Sequence, residues 1–353
     1  MSVELDQDYF EIRLESIGGL GANLLGKILG ELGALYLGLN ASSFASYGSE
    51  KRGSPVKSYI RYAKADKEIR VNSPIISPDM VVIFHDRLAG KPLVMAGVSE
   101  KTKIVVNTNE SSDYIRDKFR ICGGEVFVID ALKIAEENKT RINMVLLGAI
   151  AKASGFIPLD IVENVISDTI GKKYPNSLDG NLKGIKAGFE NITSKKFNDD
   201  GKYPFQKYEE VKRIWGYNNA PIGGVNPIFG SSVSNDLSAS REGKVPVFDK
   251  EKCINCGMCD IYCPDMVYQF KKGTFNGKEM MINLGPDYRH CKGCLRCVEV
   301  CPTSAITEGE ERKTDISKTN VNNIELITDD FDFDNVGANS WVESVSYTTN
   351  SEN

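Results

Sequence analysis

In the first ~195 residues, the hydrophobic positions show two patterns in turn: short runs typical of strands, and a spacing of three to four residues typical of helices. Short runs rich in β-branched residues, bounded by polar residues or glycine, are typical of strands, and the segments between them are long enough for helices. The predicted strands span residues 11–17, 42–47, 56–62, 80–85, 103–108 and 126–130. Such alternation predicts an α/β domain with a mostly parallel sheet covered by helices.

Helical periodicity is clearest directly after the first strand, where Leu20, Leu24 and Ile28 begin an apolar stripe with a spacing of three to four residues. This helix contains Gly26, Gly30 and Gly33. Each glycine costs about 1 kcal/mol relative to alanine in a helix, so we expect the helix backbone to pack closely against the sheet. Three further helices are predicted at residues 143–154, 159–170 and 178–192.

Composition and charge narrow the class of protein. The chain has 353 residues, 41% of them hydrophobic, and a formal net charge of -5, which favours about two domains and gives no reason to expect nucleic acid or a membrane as partner. The longest apolar stretch, residues 17–41, contains Lys27 and Glu31 and is predicted to be a buried helix rather than a membrane span. The N-terminus lacks the apolar segment of a secretory signal, so we expect a cytoplasmic protein.

Changes in composition divide the chain into four predicted segments. Residues 1–198 form the sheet domain, and residues 199–244 form a connector rich in Gly, Asn, Pro and Ser. Residues 245–308 contain most of the cysteines and form a second, smaller domain. Residues 309–353 are predicted to be an acidic, disordered tail, because the end of the chain from residue 308 holds eleven acidic residues against three basic ones.

Eight of the nine cysteines form two copies of the motif Cys-x2-Cys-x2-Cys-x3-Cys-Pro, and the second copy lies 38 residues after the first. With this spacing, three cysteines wrap one [4Fe–4S] cluster and the fourth ligates the other cluster. The predicted ligands are Cys253, Cys256, Cys259 and Cys301 for cluster 1, and Cys291, Cys294, Cys297 and Cys263 for cluster 2. The spacing therefore predicts an α+β domain like a bacterial ferredoxin with two [4Fe–4S] clusters, and electron transfer as part of its function.

Zinc is the alternative metal, but its sites usually show two separated Cys-x2-Cys pairs and no proline after a fourth cysteine. Thiolates that are free to bind metal also indicate a reducing compartment. His290 adjoins Cys291 and is predicted to contribute a hydrogen bond or nothing, because eight thiolates complete the ligand set. Cys122, the ninth cysteine, is predicted to be a buried structural thiol. The dipeptide Asn276-Gly277 predicts a hairpin between the two motifs.

Two loops of the first domain carry candidate binding residues. Gly18, Gly19 and Gly21 join the first strand to the first helix, where backbone N–H groups suit an anion. Ser16 replaces the first glycine of a G-x-G-x-x-G motif, so we favour tight strand–helix packing over a dinucleotide site. Arg52 lies in the polar turn after the second strand and is a candidate contact for a carboxylate or phosphate, although a solvated arginine is equally common there.

These motifs, taken in order, resemble the gamma subunit of thiamine-dependent 2-oxoacid:ferredoxin oxidoreductases. The matching residues are Gly18-Gly19-x-Gly21, Tyr47-Gly48-x-Glu50-x-Arg52-Gly53, Tyr174-Pro175, Asn181 and Ala187-Gly188. The cysteine-rich segment is similar to the delta subunit of the same family. The chain thus resembles a fused gamma/delta subunit of the pyruvate synthase type, with oxalate oxidoreductase as a close relative.

The resemblance implies a subunit of an oxidoreductase of the EC 1.2.7 type. Residues 1–198 would be its gamma-type domain in an enzyme that converts pyruvate, coenzyme A and oxidised ferredoxin to acetyl-CoA, CO2 and reduced ferredoxin. Thiamine diphosphate and Mg²⁺ would lie on alpha and beta partner subunits, ferredoxin would be the external acceptor, and Arg52 would contact the substrate or coenzyme A. The alternatives are the same role with oxalate or another 2-oxoacid, and a stand-alone ferredoxin-like carrier with a docking domain.

Overall fold

The computed structural model describes residues 5–47, 54–91, 93–209 and 236–326. The chain divides into two compact units, Met1–Glu209 and Glu210–Asn353. Within the described ranges, none of the helices has the length and apolar character that a membrane span needs.

The first unit is built on a sheet with seven strands in the described residues. They are β1 (Tyr9–Ile17), β2 (Asn40–Tyr47), β3 (Pro55–Ala63), β4 (Met80–Ile83), β5 (Lys103–Asn107), β6 (Gly124–Ile129) and β7 (Thr193–Phe197). Their order in the sheet is β2-β3-β1-β4-β5-β6-β7. Strands β1, β4, β5 and β6 run parallel to one another, whereas β3 and β2 on one side and β7 on the other add antiparallel pairs. The predicted fold class is confirmed, with antiparallel strands at the edges.

Six helices of the first unit lie between or after these strands in the described residues. They are α1 (Ala22–Glu31), α2 (Ser112–Phe119), α3 (Ala131–Glu137), α4 (Ile142–Ser154), α5 (Leu159–Ile166) and α6 (Pro175–Glu190). Short π-helical segments, Leu32–Tyr36 and Ser167–Gly171, directly follow α1 and α5. All four residues of β4 are fully buried, as expected for a central strand of a sheet covered by helices.

Glycines allow close contacts of the helices in this unit. A Cβ atom at Gly26 of α1 would lie 2.1 Å from Oγ of Ser58 in β3, so the predicted close packing of this helix on the sheet is confirmed. A Cβ atom at Gly188 of α6 would lie 2.0 Å from the carbonyl oxygen of Val145 in α4. Gly148 of α4 has an equally close contact with α6. Only glycine permits the two helices to approach at these points without a shift of backbone.

Strand β7 is not predicted from the sequence, because only Phe197 of its five residues is buried and the rest are polar. The residues after β7 continue along the same unit. Nη2 of Arg116 lies 2.6 Å from Oδ1 of Asp200, and the N–H of Gly97 donates to the carbonyl oxygen of Gln206 at 2.7 Å. The described beginning of the predicted connector therefore packs on the sheet unit, and residues 210–235 lie outside the described residues.

The second unit contains short elements around the two cysteine motifs. In the described residues they are β8 (Lys244–Phe248), α7 (Met258–Ile261), β9 (Tyr268–Phe275), β10 (Lys278–Pro286), α8 (Arg296–Glu299) and β11 (Ile306–Glu310). Strands β9 and β10 form the predicted hairpin, and Asn276 and Gly277 at its turn both have a positive φ, as a type I′ turn requires. Strand β8 pairs with β11 and joins the two ends of the unit.

The structure differs from the predicted disordered tail over residues 309–326. Gly309 and Glu310 belong to β11, the N–H of Val321 donates to the carbonyl oxygen of Pro286 at 2.9 Å, and Asn320 accepts a hydrogen bond from the N–H of Tyr288. The prediction of disorder rests on an excess of acidic residues. In residues 309–326 the acidic and basic residues nearly balance, and the acidic excess lies further along the chain. Residues 327–353 lie outside the described residues.

Candidate metal centre

The two cysteine motifs have the same backbone conformation. Helices α7 and α8 occupy equivalent positions, 38 residues apart, in the two copies. Asn255 and Gly293 both have a left-handed backbone, with φ of 58° and 70°, and so do Gly257 and Leu295, with φ of 76° and 58°. A leucine rarely adopts this conformation, so its presence at Leu295 shows that the path of the loop is imposed by its surroundings. The duplication in the sequence is therefore a duplication of structure.

Eight cysteines line two cavities, four to each. The first cavity is lined by Cys253, Cys256, Cys259 and Cys301, and the second by Cys263, Cys291, Cys294 and Cys297. Each contains about 320 Å³ of space that protein atoms do not fill, part of it open to solvent. The structure thus brings together the same four cysteines that the spacing predicts for each cluster, including the exchange of the fourth cysteine between the two motifs.

Backbone N–H groups point at the cysteine sulfur atoms. The N–H of Asn255 donates to Sγ of Cys253 and the N–H of Gly293 donates to Sγ of Cys291, both at 3.4 Å. These two bonds are equivalent in the duplication and follow from the left-handed residue in each loop. Such donors stabilise negative charge on sulfur, and a thiolate bound to a metal carries that charge.

The cysteines differ in their exposure and in their pKa. Cys256 is exposed, whereas Cys259 and Cys291 are buried. Burial raises the pKa of Cys259 and of Cys291 to about 12. Burial also acts on Cys301, but hydrogen bonds from the backbone and side chain of Thr303 and from nearby backbone N–H groups hold the pKa of Cys301 below its ordinary value. Buried thiols of this kind become thiolates when a metal takes the place of the proton.

The donor set fits iron–sulfur clusters. Four thiols wall each cavity, backbone N–H groups point at the sulfur atoms, and the motif has the spacing of a two-cluster ferredoxin. In the ranges that the structure describes, no three His, Cys, Asp or Glu side chains form a group that could hold a single metal ion. The thiols instead lie on the walls of cavities, where a cluster would fill the space between them.

His290 does not line either cavity. Its Nε2 lies 3.0 Å from Nδ2 of Asn323 and 3.5 Å from Oδ2 of Asp287, and its side chain is 2% exposed. Asp287 is fully buried and accepts hydrogen bonds from the side chain of Arg289. His290 thus belongs to a polar network behind Cys291, which agrees with the prediction that it contributes a hydrogen bond.

The candidate loops of the first unit have different outcomes. A Cβ atom at Gly21 would lie 2.6 Å from Nδ2 of Asn143 in α4, and the N–H of Gly18 donates to the carbonyl oxygen of Ser54 at 2.8 Å. The glycine loop is therefore filled by protein atoms, which supports tight packing over a dinucleotide site. Arg52 and its turn, residues 48–53, lie outside the described residues.

Two further residues that resemble parts of functional motifs have structural contacts. Cys122 is 5% exposed and its Sγ donates to the carbonyl oxygen of Val98, as expected for a buried structural thiol. Asn181 of α6 accepts a hydrogen bond from the hydroxyl of Thr140 at 2.6 Å. Asn181, one of the residues that carry the family resemblance, is therefore part of a helix contact.

Sequence reasoning missed two side chains at the cavities, Asn283 and Tyr268. Nδ2 of Asn283 donates to Sγ of Cys259 at 3.4 Å, and Tyr268 lines the second cavity. Both lie on the hairpin between the motifs. The period of the hairpin strands indicates alternating faces, but it does not say which face meets the cysteines, so the sequence contained only a weak signal for these residues.

Comparisons with known proteins agree with this site. Residues 11–191 match the family described as "Pyruvate ferredoxin/flavodoxin oxidoreductase", and residues 247–308 match the "4Fe-4S dicluster domain". The chain is 35% identical to "Pyruvate synthase subunit PorC" of Thermotoga maritima, over 52% of this chain and 95% of that protein. It is 34% identical to "Pyruvate/ketoisovalerate oxidoreductases common subunit gamma" of Thermococcus litoralis, over 51% of this chain and 95% of that protein.

A solved structure of the pyruvate oxidoreductase subunit PORC from Thermotoga maritima is 28% identical, covers 54% of this chain and all of that chain, and has a TM-score of 0.47. The family match spans just over half of the chain and lies on the sheet unit, and the dicluster match lies on the unit with the two cavities. The chain carries two [4Fe–4S] clusters as a gamma-type subunit of a multi-subunit oxidoreductase, and it belongs to the pyruvate ferredoxin/flavodoxin oxidoreductase family.

Proposed function

We propose that this chain is the electron-transfer subunit of an enzyme that converts pyruvate, coenzyme A and oxidised ferredoxin to acetyl-CoA, CO2 and reduced ferredoxin. The observation that carries the proposal is the pair of cavities, each walled by four thiols, in the same chain as the gamma-type unit. The relatives named pyruvate synthase subunit support pyruvate as the substrate. The sheet domain would end near residue 198 and the cluster domain would span residues 245–308.

The proposed ligands are Cys253, Cys256, Cys259 and Cys301 for the first cavity, and Cys263, Cys291, Cys294 and Cys297 for the second. A bound [4Fe–4S] cluster supplies a carrier of single electrons. The protein contributes thiolates at fixed positions, N–H donors to their sulfur atoms and an exposed edge at Cys256, where an external ferredoxin can approach.

Carbon chemistry is assigned to partner chains. This sequence has no Gly-Asp-Gly motif followed by the asparagine that holds a thiamine diphosphate magnesium, so thiamine diphosphate and Mg²⁺ would be bound by alpha and beta subunits. Arg52 is the candidate contact for coenzyme A or the oxoacid. Replacement Arg52→Ala should raise the KM for one of them, and unchanged kinetics would show that Arg52 is a solvated turn residue. The need for reduced thiols favours the cytoplasm.

A branched oxoacid is the second candidate substrate, because one relative is named as a subunit common to pyruvate and ketoisovalerate oxidoreductases. The test is anaerobic purification of the chain with its partners, followed by viologen reduction with pyruvate, ketoisovalerate, 2-oxoglutarate and oxalate, each with and without coenzyme A. Fastest reduction with pyruvate and coenzyme A supports the proposal. Fastest reduction with another oxoacid overturns pyruvate as the substrate. A chain that purifies without partners and reduces viologen with none of the oxoacids would indicate a stand-alone carrier.

A further inference from the structure

The hairpin of β9 and β10 lies between the two cysteine motifs and places one buried polar side chain at each cavity. Asn283 is 2% exposed and Tyr268 is 3% exposed. Asn283 contacts Cys259 of the first cavity, and Tyr268 lines the second cavity with Cys297. Cys259 and Cys297 are the equivalent third cysteines of the two motifs. The same position of the duplicated site therefore has a different polar neighbour in each copy.

Asn283 is held in one orientation by three hydrogen bonds. Its Nδ2 donates to Sγ of Cys259 at 3.4 Å, and its Oδ1 accepts from the N–H of Gly285 at 3.0 Å. Its backbone N–H donates to Oδ1 of Asn255 at 2.9 Å, and Asn255 lies in the loop of the first motif. Because the acceptor end of the carboxamide is occupied by Gly285, the donor end must point at Cys259. The contact is therefore built into the hairpin.

The neighbour of Cys297 differs in kind. The hydroxyl of Tyr268 is buried and has no hydrogen-bond partner in the described residues. The phenol thus lines the second cavity without the hydrogen bonds that fix Asn283 at the first. The cysteines also differ in exposure, because none at the second cavity is exposed, whereas Cys256 of the first cavity is.

Both differences act in one direction. A hydrogen bond donated to a thiolate ligand is stronger when the cluster carries one more negative charge, so it stabilises the reduced form and raises the reduction potential. Water around an exposed ligand stabilises the same added charge and also raises the reduction potential. We propose that Asn283 is a positioning residue for electron transfer, whose amide donated to Cys259 makes the cluster of the first cavity easier to reduce than that of the second. Electrons then collect at the cavity with the exposed Cys256, from which an acceptor takes them. This inference rests on the proposed function.

The test is a redox titration of the full chain, purified anaerobically with iron bound and followed by electron paramagnetic resonance. The native chain should show two separate midpoint potentials. Asn283→Leu should lower the higher potential by up to about 59 mV, the equivalent of a tenfold change in a one-electron equilibrium, and should leave the lower one in place. Asn283→Asp keeps the acceptor for Gly285 and adds negative charge, so it should lower the same potential further.

Two matched variants control for general effects of a substitution in this hairpin. Thr274→Val, on an exposed part of β9, should change neither potential. Tyr268→Phe removes a hydroxyl at the second cavity and should shift only the lower potential. An unchanged higher potential in an Asn283 variant with full iron content overturns the proposal, as does a single unresolved potential in the native chain. If neither Asn283 variant retains full iron, Tyr268→Phe decides by identifying the potential of the second cavity. A shift confined to the lower potential supports the order, and a shift of the higher one, or no shift, overturns it.

The potentials are measured on this chain alone. An assembled enzyme that is inactive on pyruvate would therefore contradict the proposed function and leave the measured order of the two clusters intact. Equal potentials in a complex that is active on pyruvate would contradict only the role of Asn283. The two proposals consequently fail in different experiments.

Discussion

The two units of the chain are stabilised in different ways. The core of the sheet unit is made mostly of apolar side chains, with the buried ion pair of Arg13 and Glu15 among them, and its central strand β4 is fully buried. In the described residues, the hydrophobic core cluster of the cysteine unit has nine buried members, and three of them, Cys259, Cys291 and Cys297, are proposed cluster ligands. The first unit can therefore be stable by apolar burial, whereas the second places its chemistry where a hydrophobic core would otherwise be.

This difference is expected from size. A domain of about 60 residues buries a smaller fraction of its surface than a domain of about 200, so small domains often need metals or disulfides. In the second unit, the free energy of binding metal to the thiols becomes free energy of folding. The same cysteines of this unit would thus serve both stability and electron transfer, whereas the described core of the first unit contains none of the proposed ligands.

Removal of iron should have the largest effect, and it should act on one unit only. Treatment of the full chain with an iron chelator should abolish the protection of backbone amides in residues 245–308, because the thiols lose the metal that holds them together. Amides of β4 and β5 should stay protected. Hydrogen exchange read by mass spectrometry reports both units in one sample, and equal loss of protection in the two would contradict the comparison.

Substitution of one ligand should have the next largest effect. Cys256→Ala should reduce the iron content to about half and sharply slow electron delivery to an acceptor, because one of two clusters is lost. Cys256 is exposed, so the change removes little packing. Cys122→Ala is the matched control, because this thiol lies in the first unit and should leave the iron content unchanged. Full iron in Cys256→Ala would show that the ligand assignment is wrong.

A packing substitution in the first unit should lower stability without affecting iron. Gly188→Ala places a Cβ atom 2.0 Å from the carbonyl oxygen of Val145, so α4 and α6 must separate, at a cost of about 1–3 kcal/mol in the free energy of unfolding. Gly171→Ala is the control, because its Cβ atom would meet the methyl groups of Leu178 at 3.1 Å and no backbone atom closer than the carbonyl oxygen of Ile166 at 3.5 Å. Denaturant unfolding of the full chain measures both variants. Equal stability of the two variants would argue against the close helix contact.

The smallest effect concerns the ion pair of Asp200 with Arg116. The hydrogen bond from Arg116 lowers the pKa of Asp200 to about 2 from an ordinary value of 3.8, so the pair stabilises the folded form above about pH 4 and its contribution is lost as the pH falls through about 2. The protection factor of the Gly97 amide, which donates to Gln206, should fall over this window relative to the intrinsic exchange rate at each pH. In Asp200→Asn this dependence on pH should disappear. If it persists, another titrating group causes it.

The parts of the fold that the sequence predicts are those with a strong local pattern. Residues 80–85 and 103–108 are continuous β-branched and apolar runs, and the structure has β4 and β5 there. Strand β7 is not predicted, because an edge strand with one buried residue has no alternating pattern of apolar and polar residues to detect. The folding of residues 309–326 onto the cysteine unit is not predicted either. It depends on hydrogen bonds between distant backbone groups, such as that of Val321 to Pro286, which leave no pattern in the sequence.

The same contrast applies to the site. The spacing of the cysteines predicts the two groups of four, because the path of a short loop fixes which thiols can meet. Asn283 could not be predicted in this way, since its contact with Cys259 depends on the register of β9 and β10, where Asn283 pairs with Phe270. A bulge follows directly between Asn283 and Gly285, and it changes which side chains face the cavity.

The most direct measurement of the central claim is the metal content of the full chain after anaerobic purification, combined with electron paramagnetic resonance after reduction with dithionite. Two [4Fe–4S] clusters predict about eight iron and about eight acid-labile sulfide per chain, and a low-temperature signal of reduced clusters. Zinc in place of iron, with no paramagnetic signal after reduction, would contradict the account.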